Sequence, residues 1–88
     1  MYDNMITYGG EITSQGTFET NSGAFYLFIA PKKEDAPAIG VFNVKISRNV
    51  DNTDYPFVVG VWNPVVINQI DVTSENLANY RIFWGETT

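Results

Sequence analysis

The hydrophobic residues of this chain fall in short runs of strand length, interrupted every few positions by residues that break strands. The breakers are Gly9-Gly10, Asn21-Ser22-Gly23, the stretch from Pro31 to Pro37, the stretch from Asn49 to Asp54, and Asn63-Pro64. Glycine, proline and short amide or hydroxyl side chains favour turns. Between them the runs are rich in Val, Ile, Phe, Tyr and Thr, which suit a pleated, half-buried surface. The pattern predicts strands at Met5–Tyr8, Ile12–Thr20, Ala24–Ala30, Ile39–Arg48, Phe57–Trp62, Val65–Val72 and Tyr80–Trp84. The link Asn21-Ser22-Gly23 predicts a hairpin. Pro64 has no backbone donor, so Asn63-Pro64 predicts a bulge or a change of sheet. Only residues 73–79 suit a helix, of a turn or two, opening at the cap-type residue Thr73.

Some runs alternate and others do not. In Ile39–Arg48, Phe42, Val44 and Ile46 share one face while Asn43, Lys45 and Ser47 share the other, the mark of a half-buried strand. Three runs are apolar on both faces. Phe25, Leu27 and Ile29 oppose Tyr26 and Phe28; Phe57, Val59 and Val61 oppose Val58 and Trp62; Tyr80, Ile82 and Trp84 oppose Arg81 and Phe83. In each run the first set is assigned to the core. The outward sets supply the candidate interface residues: Val58, Trp62, Arg81, Phe83, Tyr26 and Phe28. A sandwich of two sheets wets the outer face of each, so outward aromatics need cover from a partner, from another copy or from the chain's own loops.

About seven short, mostly antiparallel strands predict an all-β fold, a small sandwich or barrel. With 88 residues the chain fits a single domain, 1–88. A domain of this size buries roughly 60–65% of its unfolded surface, which leaves a thin margin of stability. No cysteine is present to add a disulfide, and without Cys or His no ordinary zinc site can form. Thirteen residues (5 Tyr, 6 Phe and 2 Trp) are aromatic, a type that serves cores and interfaces alike.

Charge narrows the partners. Five basic residues stand against ten acidic ones, for a net charge of −5, and the one basic cluster, Lys32-Lys33, is followed at once by Glu34-Asp35. Nucleic acid and anionic membranes need a positive field, so neither is expected as a partner. Met1-Tyr2-Asp3-Asn4 lacks the basic start of a signal peptide, and the longest apolar run, Ala24–Pro31, is too short to span a bilayer.

Candidate chemistry is sparse. The absence of His and Cys removes most nucleophile, base and metal schemes. Asp51-Asn52-Thr53-Asp54 starts like a calcium loop, but Tyr55 and Pro56 fall where an oxygen ligand and the obligatory glycine belong, so it reads as a turn. Gly9-Gly10 lacks the Lys-Ser/Thr of a phosphate loop and also reads as a turn. A pair of glycosidase carboxylates is defined only in space, and a chain this short rarely builds the cleft it needs. No enzyme activity and no cofactor are expected. Trp62, Trp84 and the tyrosines are the one set that could stack on a sugar.

The C-terminal third carries a resemblance. Its residues run Asp54-Tyr55-Pro56-Phe57-Val58-Val59-Gly60-Val61-Trp62-Asn63-Pro64-Val65-Val66-Ile67-Asn68-Gln69-Ile70, then Leu77-Ala78-Asn79-Tyr80-Arg81-Ile82-Phe83-Trp84-Gly85. This resembles the small virion proteins of tailed bacteriophages, in particular the auxiliary, or decoration, capsid proteins of crAss-like phages. The resemblance is one of style and length and includes no diagnostic motif. It implies a many-copy, non-catalytic protein made in the bacterial cytoplasm and bound to the outer capsid surface of the virion. Its implied partners are the major capsid protein, other virion proteins and copies of itself. A tail or head-fibre component has the same style. The alternative from a different class is a carbohydrate-binding or host-surface adhesin module.

Overall fold

The computed structural model describes residues 6–46 and 50–87. The expected strand start at Met5, the expected strand end at Ser47-Arg48 and the turn residue Asn49 lie outside them. Among the described residues are seven strands and one short helix: β1 (Ile6–Ile12), β2 (Gly16–Phe18), β3 (Tyr26–Pro31), β4 (Ile39–Lys45), β5 (Thr53–Val58), β6 (Gln69–Val72), α1 (Ser74–Asn79) and β7 (Tyr80–Thr87). They form two antiparallel sheets, one of order β1-β7-β3 and one of order β2-β6-β4-β5. The expected all-β class is the fold found, in its sandwich form. No helix among the described residues is long and apolar enough to cross a membrane.

The inner faces of the two sheets meet in one core. Leu27, Ile29 and Ile82 from the first sheet pack with Phe42, Val44, Phe57 and Ile70 from the second, and Phe25 and Ile67 join them. Each fully buried aliphatic or Phe side chain contributes about 1.5–3 kcal/mol by leaving water. The alternation expected for β4 holds at Phe42 and Val44. Ile46 lies beyond the end of the strand and is exposed. Helix α1 forms where expected. The Thr73 hydroxyl accepts from the Asn76 backbone N–H, and the Asn76 side chain accepts from that of Thr73, so two otherwise unpaired donors are satisfied reciprocally.

Several expectations are corrected. Gly9-Gly10 is no turn but the middle of β1. A Cβ on Gly9 would lie 2.3 Å from the Trp84 carbonyl oxygen, and one on Gly10 would lie 3.1 Å from Trp84 Nε1. Close approach to β7 therefore calls for glycine here. The run Ile12–Thr20 is not one strand. β1 ends at Ile12, and β2 starts in the other sheet at Gly16, whose φ of 124° lies in the region favouring glycine. The turn at Asn21-Ser22-Gly23 exists, with the Gly23 N–H donating to the Thr20 carbonyl at 3.0 Å, but it carries the chain between sheets and makes no hairpin. Thr53 and Asp54, expected in a turn, already belong to β5.

The largest departure is in Phe57–Trp62. β5 stops at Val58, and the chain turns away at Gly60, whose φ is 95°. Residues 59–67 then run along the free edge of β3. The Gly60 N–H donates to the Ile29 carbonyl at 2.7 Å, the Asn63 N–H to the Leu27 carbonyl at 3.0 Å, and Phe25 and Ile67 exchange N–H donors at 3.0 and 2.9 Å. Val61, assigned to the core, is exposed, and Val59 is half-buried. Of the expected strand Val65–Val72 only Gln69–Val72 is strand, because Ile67 is occupied in a lone bridge to Phe25.

The packing of β1 on β7 is testable. Gly9→Ala meets backbone that cannot yield and should cost about 1–3 kcal/mol. Gly10→Ala meets only a side chain and should cost less. Urea denaturation of both variants measures the difference, and equal midpoints would contradict the close approach at Gly9.

Candidate interaction face

The outer face of the three-stranded sheet is built by register. Glu11 on β1 lies opposite Phe83 on β7, Phe83 lies opposite Phe28 on β3, and Phe28 bridges to Trp62 in the segment that covers β3. Directly opposite residues point to the same side of a sheet. These four positions therefore form one row across the sheet, charged at one end and aromatic along the rest. The neighbouring row is Gly9, Gly85 and Tyr26. Two of its three positions carry no side chain, and an open groove of about 480 Å³ lies along this face, lined by Gly9, Gly10, Glu11, Phe28, Trp62 and Phe83, with Trp84.

The rings interlock. Phe28 meets Trp62 at 5.5 Å between centroids with the planes 61° apart, and meets Phe83 at 6.2 Å and 69°. Both are edge-to-face contacts, the favoured geometry of aromatic pairs. All three rings are half-buried. The Arg81 guanidinium lies 5.2 Å from the centre of the Phe83 ring, within reach of a cation–π attraction. It also grips Glu11 with two donors, Nη2 to Oε1 at 3.0 Å and Nε to Oε2 at 3.1 Å. This hydrogen bonding holds the Glu11 carboxyl below its ordinary range, and Glu11 in turn raises Arg81. Glu86 is held below its ordinary range by the hydroxyls of Ser22 and Thr20.

Trp62 is positioned by its neighbour. Asn63 is the one buried polar side chain among the described residues, 6% exposed. Its Oδ1 accepts from the Val58 N–H at 2.9 Å, and its Nδ2 donates to the carbonyls of Val58 at 3.0 Å and Val61 at 3.3 Å. The amide thus pairs both ends of the turn 58–61 that follows β5, and Trp62 is delivered onto Phe28. Among the described residues no buried side-chain nitrogen or oxygen lacks a partner.

Five of the six candidate interface residues, Trp62, Arg81, Phe83, Tyr26 and Phe28, fall on this face. Val58 does not. It lies opposite Ile39 on the outer face of the four-stranded sheet. There Val58, Ile39 and Val41 are each about half exposed, at 47%, 48% and 54%. That face is polar at its other end. The Asn52 amide donates to Asn43 and Asp71, each at 3.1 Å, and Asn43 donates to Asp54 at 3.1 Å. Trp84, grouped with Trp62 as a sugar-stacking candidate, instead packs inward against Phe18 and Phe25 and meets Tyr8 edge-on at 5.4 Å.

The sequence reading missed Glu11 and the glycine pair as parts of this face. No local signal marks them, since they join it only through pairing with β7. Chemically, the face presents an apolar ridge ending in a neutralised ion pair. Among the described residues no group of three His, Cys, Asp or Glu side chains could hold a metal ion. Comparison of this chain with protein-family models, curated proteins and solved structures finds no match.

Two outcomes follow. Asn63→Ala leaves the Val58 N–H without its partner and should destabilise the fold by about 1–3 kcal/mol, measured by urea denaturation; an unchanged midpoint would remove Asn63 from its positioning role. The lowered carboxyls of Glu11 and Glu86 bind fewer protons folded than unfolded. Their contribution is present above the ordinary carboxylate range and is lost as pH falls through the lowered folded values. The melting temperature should therefore decline across that acid window, by a small amount because water screens both groups. The Glu11 part of the decline should vanish in Arg81→Met, and an identical pH profile in that variant would contradict the pairing.

Proposed function

We propose that this chain is a non-catalytic structural domain that docks onto another protein through its aromatic face, and that the partner is the coat of a phage head, on whose outside the domain sits. The observation that supports docking is the row Phe83-Phe28-Trp62. Three half-buried rings stand side by side on the solvent side of a sheet, beside a groove lined by Gly9 and Gly10. Contiguous outward apolar surface of this kind marks interaction sites, and aromatics with an adjacent Arg are typical of the few residues that dominate an interface.

The tilt of the rings favours a protein over a sugar. A pyranose needs a ring face laid flat beneath it, and neighbouring sugar units need ring faces that share a plane. Here adjacent planes are 61° and 69° apart, a relief suited to side chains entering between them. The choice of a phage coat rests on the resemblance of the C-terminal third. The charge of −5 suits an outer surface, away from packaged DNA. A small domain with a thin margin also gains stability from binding a large scaffold.

The test is cosedimentation of the purified chain with phage heads that lack it. Phe83→Ala and Trp62→Ala should each weaken binding by about 1–3 kcal/mol, whereas Val58→Ala, on the opposite face, should leave it unchanged. Equal loss in all three variants, or no cosedimentation of the wild type, would overturn the assignment. Glycan binding by the isolated chain that Trp62→Ala abolishes would favour the carbohydrate-binding alternative.

A further inference from the structure

The two sheets have four edges, and three are protected. The edge of β3 is hydrogen-bonded along residues 59–67. β5 carries Pro56 and Asp54, and proline and charge are both devices that discourage edge pairing. β2 is three residues long, too short to template a partner strand. β1 is the longest and least covered of the four edges, although its pairing with β7 shifts register between Ile6 and Tyr8. It spans seven residues, contains neither Pro nor Lys, and among the described residues pairs only with β7. Its single charge, Glu11, is already neutralised by Arg81 within the same chain.

We propose that the free edge of β1 pairs antiparallel with β1 of a second copy, about a two-fold axis at Gly9, joining two three-stranded sheets into one continuous sheet. The register follows from the side chains. With the axis at Gly9, Tyr8 of each copy lies opposite Gly10 of the other. Tyr8 is a large ring left 65% exposed, held edge-on to Trp84. Gly10 is a bare position backed by the same indole. An aromatic side chain across from an edge glycine covers the exposed backbone and compensates for its missing packing. In this register the two Glu11 residues lie on opposite sides of the axis, so no like charges oppose each other, as a stable cross-strand pair requires. A second copy is the occupant chosen because one strand supplies both the projecting ring and the bare seat for it, which is the self-complementarity a two-fold interface needs.

This pairing goes beyond the docking role and does not depend on it. The strands meet edge to edge, so Phe83, Phe28 and Trp62 stay free on the outer face. The two aromatic rows are brought into one surface, and a weak single contact becomes a bivalent one.

Sedimentation equilibrium of the full chain from about 1 μM to about 1 mM, a range that spans weak self-association, should show a monomer–dimer equilibrium. Amide hydrogen exchange at residues 8–12 should slow as the concentration rises. Tyr8→Lys places the residue that natural edges use against pairing and should weaken the dimer at least tenfold. A monomer throughout the range would overturn the proposal. So would a dimer whose concentration-dependent protection falls at Ile39, Val41 and Val58 instead of β1. The exchange readout uses the wild-type chain and so decides the matter even if Tyr8→Lys fails to fold. Neither readout moves with coat binding, so failure here is separable from failure of the docking assignment.

Discussion

The covered edge of β3 is the constraint on which the rest of this small sandwich depends. β3 contributes Leu27 and Ile29 to the centre of the core, and buried backbone donors and acceptors beside such residues must be paired. No regular strand does the pairing. An irregular segment does it, held by one amide. Asn63 closes the loop onto Val58 at one end and contributes its own N–H to Leu27 at the other. Without it the loop would leave polar backbone unpaired against the core, and Trp62 would have no fixed place. The aromatic surface and the integrity of the core thus rest on the same side chain.

This dependence explains why three runs are apolar on both faces. A two-sheet domain of this size has only one interior, so residues such as Phe28 and Phe83 cannot all be internal. The inward set, Phe25, Leu27, Ile29 and Ile82, closes the core with almost no exposure. The outward set is then held half-covered by its own members and by Arg81. Self-packing of this sort fixes the ring positions within the chain itself, so no further ordering of these side chains is needed for any contact they make.

What could be read from the sequence was local, and what could not was a matter of register. The alternation around Phe42 and Val44 and the cap at Thr73 depend on neighbours a few residues away, and both are found as expected. The outward direction of Phe28, Phe83 and Arg81 also follows from counting within one strand. Counting fails across Gly60. Alternation places Val58 and Trp62 on a common side, but the left-handed turn at Gly60 resets the direction of the chain, and the two side chains emerge on opposite faces of the sandwich. Gly9-Gly10 misleads for the same reason. Taken alone, a glycine pair signals a turn; here it answers to Trp84, a residue at the far end of the sequence. The pairing of Glu11 with Arg81 is equally invisible to any local pattern.

The position of β7 has a consequence for synthesis. It is the central strand of its sheet, flanked by β1 and β3, and the last of the described strands in chain order. Neither flanking strand has its regular partner until β7 emerges from the ribosome. The sheet therefore forms only after translation has passed residue 87, and until then β1 lacks its strand partner and β3 has only the segment 59–67 to pair with. Non-local pairings of this kind fold slowly and expose sticky segments meanwhile. The time between translation and closure of this one sheet sets how much chain is open to aggregation.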